Sequence, residues 1–431
     1  MKKILIIEVL LVTLFAGVYV FFFYYKNFRG VKSAITDPPA DIAEIIEENN
    51  NLPPRENVTG FPLSLSPGFK IEVLAKNLAG ARVLAMDSRG NLWVSRTRDG
   101  IVTVLDLEDG KVVEQADMFT GLNNPHGLAF DPSNLDDLFI AEEHRVAHVV
   151  VYPPPQSPVN ADERISDIEL IRVALAIHSA PIPYKIVDLP EGSGARGHFT
   201  RTIKFGSDGR LYVSVGSSCN VCIEKDDRRA KILVMNKDGS NMKEYARGLR
   251  NAVFFTWSYV DGRMWATEMG RDGLGDDVPP DEINIIAEGN NYGWPICYGN
   301  NIHDDEFDKN TYIRNPCMEP FETPSRIDLQ AHVAPLGLGF IPEEGWPEDM
   351  RYDLLVAQHG SWNRSVPVGY KIVRLKLDAK GNYEGVDDFI SGWLTKDNKA
   401  LGRPVDILIQ PGGVMYISDD RAGVVYKMSN V

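Results

Sequence analysis

Cysteine is scarce in this chain and positive charge is in deficit. There are four cysteines in 431 residues, and 45 Lys plus Arg stand against 60 Asp plus Glu, a formal net charge of −15. So acidic a chain repels a phosphate backbone, which argues against nucleic acid as a partner. The cysteines are also wrongly spaced for two common cofactor sites. Cys219 and Cys222 form one C-x-x-C with no second pair to complete a zinc site, and Ile223 stands where a haem-attachment motif needs His. Four cysteines fit an oxidising compartment. Cys297 and Cys317 flank an irregular Asn/Asp-rich insertion and read as its staple; Cys219 with Cys222 reads as a structural disulfide, a redox pair being the alternative.

No Ala-x-Ala cleavage site follows the apolar run Ile4 to Tyr25, which is interrupted only by Glu8 and preceded by Lys2 and Lys3. The run is long enough to cross a bilayer. It is therefore expected to be an uncleaved transmembrane anchor helix (residues 1–25) that holds the protein at a membrane, facing the periplasm or the cell exterior, with a cleaved signal peptide as the alternative. Residues 26–66 carry Pro38-Pro39, Pro53-Pro54 and an acidic patch, and read as a linker with a short helix near Asp41 to Glu48. Residues 67–431 then form one domain.

Within that domain one pattern occurs six times: a His or Arg, an apolar strand, a Gly/Asp/Asn-rich turn and a second apolar strand. The clearest copy is RGHFTRTIKFGSDGRLYVSVGS, with strands Ile203 to Phe205 and Leu211 to Val215; the others begin at Ala81, Pro125, Arg250, His332 and Arg403. A strand pair cannot bury both faces alone, so the recurrence predicts an all-β six-bladed β-propeller. The unclaimed strand FKIEVLAKN from Phe69 is expected to complete the last blade beside GVVYKM from Gly423, leaving no open edge.

Strand direction turns the repeat into a functional prediction. The start of each innermost strand and the end of the second lie on one face of the disc. Arg82, His126, His198, Arg250 with Asn251, His332 and Arg403 should therefore ring the channel mouth, joined by Glu142 to His144, Gly216 to Cys222, Glu268 to Asp272, His359 to Arg364 and Asp419 to Arg421. Arginines gathered on an acidic protein point to a small anionic ligand. A His that takes a proton, beside an Arg that holds developing negative charge, suits removal of hydrogen from an alcohol; His198 and Arg250 are the candidate pair. The acidic, Gly/Pro-rich stretch Glu268 to Ile286 offers hard oxygen ligands, Glu268 and Asp281 among them, and suits Ca²⁺, although it is not an EF-hand.

DEINIIAEGNNYGWP from Asp281, the Arg250-Asn251 pair, His198 before an inner strand, HGSWNR from His359 and the closing Gly402-Arg403 together resemble the glucose/sorbosone dehydrogenase family, in its sorbosone dehydrogenase-like branch. The resemblance spans roughly Phe69 to Val431. It implies a six-bladed propeller that uses pyrroloquinoline quinone (PQQ) with Ca²⁺ to oxidise an aldose sugar or related polyol. By the same resemblance His198 is the base, Arg250 polarises the quinone carbonyl, Asn251 contacts the cofactor, and the carbonyls of Gly270 and Arg271 hold the metal. Against that family's pattern, the Asn363-Arg364 region stands in place of a Lys, Val405 replaces a second Arg, and Arg271 a loop Pro. Arg364 and Arg82 are the expected replacement cations, with His126, His332, His359 and Arg403 as further cofactor contacts. A membrane-bound quinone or a cytochrome is the expected electron acceptor. A Ca²⁺-dependent lactonase-type hydrolase and a cofactor-free binding propeller remain the alternatives.

Overall fold

Side-chain alternation in each repeat sets the depth at which its strands lie. Every side chain of the second strand Leu211–Val215 is buried, because blades cover both of its faces. The outer strand Lys111–Phe119 alternates exposed and half-buried residues, with one face in water. In a computed structural model, residues 12–22, 56–152, 166–177, 183–192 and 197–431 are described. They form six antiparallel blade sheets, over residues 81–119, 127–188, 203–247, 255–329, 335–391 and 404–430, and a two-stranded sheet of Cys297–Tyr298 with Ile302–His303 inside the blade-four insertion. The innermost strands are Ala81–Met86, Gly127–Asp131, Ile203–Phe205, Phe255–Trp257, Pro335–Phe340 and Pro404–Gln410, and the last packs back against the first. Where the second and third blades meet, a Cβ on Gly127 would lie 2.5 Å from the Arg201 carbonyl oxygen and 2.7 Å from the Ile203 nitrogen, so this approach requires glycine.

The ring closes as the sequence predicts. Phe69–Ala75 pairs with Val424–Asn430, Phe69 opposite Asn430 and Ala75 opposite Val425, and becomes the fourth strand of blade six. A buried ion pair seals the same seam: Arg82 Nη1 of blade one lies 2.7 Å from Asp420 Oδ2 of blade six.

Three features depart from expectation. Residues 56–65, assigned to the linker, belong to the domain: Thr59 and Phe61 are buried, and Ser64–Leu65 adds a fifth strand to blade five by pairing with Tyr383–Ser391. The helix Asp167–Ile177 packs Ile168 and Ile171 into the core shared with blades one and two. Its start is capped by Ser166, whose Oγ accepts from the Glu169 amide at 3.3 Å. At the N-terminus the described helix covers residues 12–22, and among the described residues no helix is long and apolar enough to cross a membrane. The rest of the expected anchor, and the expected helix near Asp41, lie outside the described residues. Both cysteine pairs are disulfides; Cys297–Cys317 staples the insertion between the third and fourth strands of blade four.

Candidate active site at the propeller mouth

Loops of blades three, four and five enclose a cavity of about 590 Å³ at the predicted face, and His198, Arg250, Asn251 and His332 all line it. His198 is fixed by the end of the neighbouring second strand. Its amide donates to the Ser217 carbonyl at 2.9 Å, and its Nδ1 lies 3.0 Å from Ser217 Oγ and 3.2 Å from the Ser217 carbonyl oxygen. The Ser217 hydroxyl hydrogen is already donated to the Cys219 carbonyl at 2.6 Å. Both Ser217 oxygens are thus acceptors towards the ring, which places the proton of neutral His198 on Nδ1 and leaves Nε2 as the basic atom. Gly216 makes this fit possible, since a Cβ there would lie 2.6 Å from His198 Cβ and 2.7 Å from Asn251 Oδ1. Gly216→Ala is expected to cost about 1–3 kcal/mol through overpacking and to displace the imidazole, both readable by urea denaturation and by the His198 ring resonances.

Burial, reinforced by the Arg250 charge, holds the His198 pKa well below the ordinary 6.5. A lowered pKa means the ring is deprotonated, and so able to accept a proton, at pH 6.5 and above. In an NMR titration of the free protein the His198 ring signals should stay at their neutral position through pH 6.5, whereas a midpoint at or above 6.5 would contradict this environment.

Arg250 is held on three sides. Nε donates to the Asn220 carbonyl at 2.9 Å, Nη2 to Asn220 Oδ1 at 2.9 Å, and Nη1 to the Met269 carbonyl at 3.2 Å. Asp272 Oδ2 lies 3.6 Å from Nη2, and the other Asp272 oxygen accepts from Asn363 Nδ2 at 2.6 Å. The second Asn363 Nδ2 hydrogen faces His332 Nδ1 at 3.2 Å, while His332 Nε2 donates to the Gly275 carbonyl at 2.8 Å. Asn363 Oδ1 is buried without a partner among the described residues.

Beneath the cavity lies the acidic floor. Asp281 accepts from the Gly270 and Ala334 amides, both at 2.8 Å, and burial raises its pKa to about 7. Glu268 accepts from the Asn251 amide at 2.8 Å through Oε1, and its buried Oε2 has no partner among the described residues. Burial, and then the neighbouring Glu282 charge, push its pKa well above the usual carboxylate range. Arg271 turns its guanidinium away from the cavity into a two-point ion pair with Asp304, 2.7 Å at Nη2, which is how the loop accommodates Arg where the resembled family has Pro.

The other expected contacts lie outside the cavity lining, and the reason is a second charge network. Asp420 sits between Arg82 and His359, the latter at 2.9 Å through Nε2, and Arg403 donates to the Gly360 carbonyl at 3.1 Å and the Tyr370 hydroxyl at 2.8 Å. Burial lowers the His359 pKa to about 4. Arg364 ties the Gly-rich loop down through the Asp276 and Ala331 carbonyls and the Asp277 carboxylate at 2.9 Å. His126 is fully buried, its Nδ1 3.3 Å from Thr202 Oγ1. Arg82, Arg364 and Arg403, expected as ligand cations, are thus engaged by groups of the protein. Among the lining residues, Asn220, Asp272 and Trp362 lie in loops after second strands, and sequence reasoning gave none of them an individual role.

Fold and site together define a six-bladed propeller with a His/Arg cavity at its mouth. The chain belongs to the TrAA12-like family, whose model matches residues 63–430. It is similar to an uncharacterized protein of Borreliella burgdorferi, 38% identical over 237 residues, or 54% of this chain and 60% of that one. It is also similar to the pyrroloquinoline quinone-dependent pyranose dehydrogenase of Coprinopsis cinerea, 24% identical over 431 residues, covering 85% of this chain and 54% of that protein. The chain thus spans little more than half the length of these relatives. Among solved structures, the calcium structure of a Trichoderma reesei family AA12 enzyme matches with a TM-score of 0.67 at 20% identity, over 86% of this chain and 98% of that one. The holo form of the Coprinopsis cinerea pyranose dehydrogenase PQQ domain matches with a TM-score of 0.65 at 20% identity, over 86% and 97%. At that identity the likeness shows the fold.

Proposed function

We propose that the protein is a sugar oxidoreductase whose mouth cavity takes PQQ together with Ca²⁺, with His198 as the base. The carrying observation is that His198, its Nε2 left basic, and Arg250 meet in one cavity of a TrAA12-like propeller. PQQ is a planar ortho-quinone with three carboxylates. The cavity volume admits it, the half-exposed Trp362 lines the cavity with a flat indole, and Arg250, Asn251 and Asn363 are there to supply polar contacts. Charge is the demanding part of the fit: the lining holds one guanidinium against the carboxylates of Asp272 and Asp281. A trianion in that setting calls for a divalent cation, and Ca²⁺ suits the oxygens of Asp281, Glu268 and the carbonyls of Gly270 and Arg271.

When bound, PQQ supplies a quinone that accepts hydride from the substrate carbon. The protein's part is to move the proton and hold charge. His198 Nε2 takes the proton of the sugar hydroxyl, and Ser217, accepting from Nδ1–H, keeps that tautomer and stabilises the imidazolium as it forms. Arg250 stabilises negative charge developing on oxygen, and Asn251 orients the bound group. An aldose or related polyol is the proposed substrate class, supported by the pyranose dehydrogenase among the relatives. The apolar run Ile4 to Tyr25 is the proposed membrane anchor, with a quinone or cytochrome as electron acceptor; sequence alone supports this part.

The test is a titration of the full chain with PQQ, with and without Ca²⁺, reading PQQ absorbance after gel filtration. Ca²⁺-dependent retention is the expected result. Because each close charge contact in a partly buried site is worth about 4 kcal/mol, removing Ca²⁺ should weaken PQQ binding by roughly a hundred- to a thousandfold. Absence of retained PQQ under both conditions would favour the cofactor-free binding propeller, the reading that the shortage of lining cations supports.

A further inference from the structure

The loop between Cys219 and Cys222 does more than carry a disulfide. The bond closes a ring of four residues, and so short a closure leaves Asn220 few backbone conformations. The loop is pinned from a second side by Glu224, whose carboxylate accepts from the Ser218 amide at 2.6 Å and the Ser218 hydroxyl at 2.7 Å. Inside the ring, Asn220 uses nearly all its polar capacity. Its carbonyl and Oδ1 accept from Arg250 Nε and Nη2, Oδ1 also accepts from the Asp272 amide at 2.8 Å, and Nδ2 donates to the Asp272 carbonyl at 2.9 Å. On the adjoining turn the Cys219 carbonyl takes the Ser217 hydroxyl hydrogen, which sets the His198 tautomer. One small ring therefore governs both groups of the candidate pair.

We propose that the Cys219–Cys222 ring is a clamp that aims the Arg250 guanidinium into the cavity, with Asn220 as its positioning residue. Its catalytic consequence rests on the reading of the cavity as a sugar-oxidising centre; the clamp itself does not. Asn220 replaces water around two Arg250 nitrogens with fixed acceptors and leaves the guanidinium one orientation. Without the ring, Arg250 keeps its charge and loses its aim.

The decisive readout is solvent exchange of the Arg250 Nη2 hydrogen that is donated to Asn220 Oδ1, followed at low temperature in ¹⁵N-arginine-labelled, cofactor-free full chain and assigned by its absence in Arg250→Lys. In the wild type this hydrogen should be protected. Asn220→Ala is expected to speed its exchange by roughly tenfold or more, Cys219→Ser/Cys222→Ser in the same direction, and Asn220→Asp, which keeps the acceptor oxygen, to restore protection. In the PQQ- and Ca²⁺-loaded protein Asn220→Ala should lower kcat with KM nearly unchanged. Unchanged protection in Asn220→Ala overturns the clamp, and should that variant not fold, unchanged protection in the double serine variant does so. A wild-type chain that oxidises no sugar overturns the functional reading alone, because the exchange rates still decide the clamp.

Discussion

Replacing His198 by alanine is expected to lower sugar-dependent turnover by roughly 10²–10⁴-fold, the usual span for loss of a positioned general base, and to leave PQQ retention intact. The expectation follows from where the ring stands. Its Nδ1 is anchored on Ser217, its Nε2 is free of protein hydrogen bonds among the described residues, and its pKa is held low by burial and by Arg250. Arg250, Asn251 and the Asp281 floor make none of their hydrogen bonds to the His198 side chain, so cofactor contacts should survive its removal. Steady-state dye reduction and gel-filtration absorbance give the two numbers. Turnover unchanged in His198→Ala would mean another group takes the proton.

The second large effect concerns stability. Arg82→Met is expected to destabilise the fold by about 3–5 kcal/mol, because it leaves the Asp420 carboxylate buried without its main cation. Burial alone would raise the Asp420 pKa; His359 and Arg82 hold it below its ordinary value instead. The pair also ties blade one to blade six beside the Phe69–Ala75 closure, so its loss weakens the seam where the ring is sealed. Arg82→Met/Asp420→Asn should recover part of the loss, since it removes the stranded charge. Urea denaturation of the cofactor-free protein measures both variants. A stable Arg82→Met that has lost PQQ affinity would restore Arg82 to the ligand role its position in the repeat suggests.

Arg82 also marks the limit of what the sequence makes legible. The six-blade ring, its closure and the positions of His198, Arg250, Asn251 and His332 follow from the strand period and direction, which are local properties. Whether a mouth cation faces a ligand or a carboxylate is decided by residues more than three hundred positions away, as Asp420 decides it for Arg82. Asn220 and Asp272 sit in loops that strand direction does place at the mouth, but their individual roles were not legible, because they are set by hydrogen bonds between the two loops, by the bonds from Arg250 to Asn220 and by the 3.6 Å approach of Asp272 to Arg250. The helix Asp167–Ile177 was readable from the Ser166-x-x-Glu169 pattern at its start, but it lies between two strands of a blade, where a strand repeat directs attention elsewhere. Residues 56–65 look like linker because their Pro, Gly and Asn content resembles a tether. Their packing rests on Phe61, Leu63 and Asn57, the last donating to the Phe61 and Leu63 carbonyls at 2.8 and 3.0 Å.

The central claim is that the mouth cavity oxidises a sugar through PQQ with His198 as base. The most direct measurement mixes the PQQ- and Ca²⁺-loaded full chain with D-glucose and a panel of other aldoses in the absence of oxygen and any dye, and follows the cofactor spectrum. A stoichiometric, sugar-dependent loss of the oxidised quinone spectrum in the wild type, slowed by orders of magnitude in His198→Ala, is the predicted result; a loaded wild-type protein whose spectrum no aldose changes would contradict it.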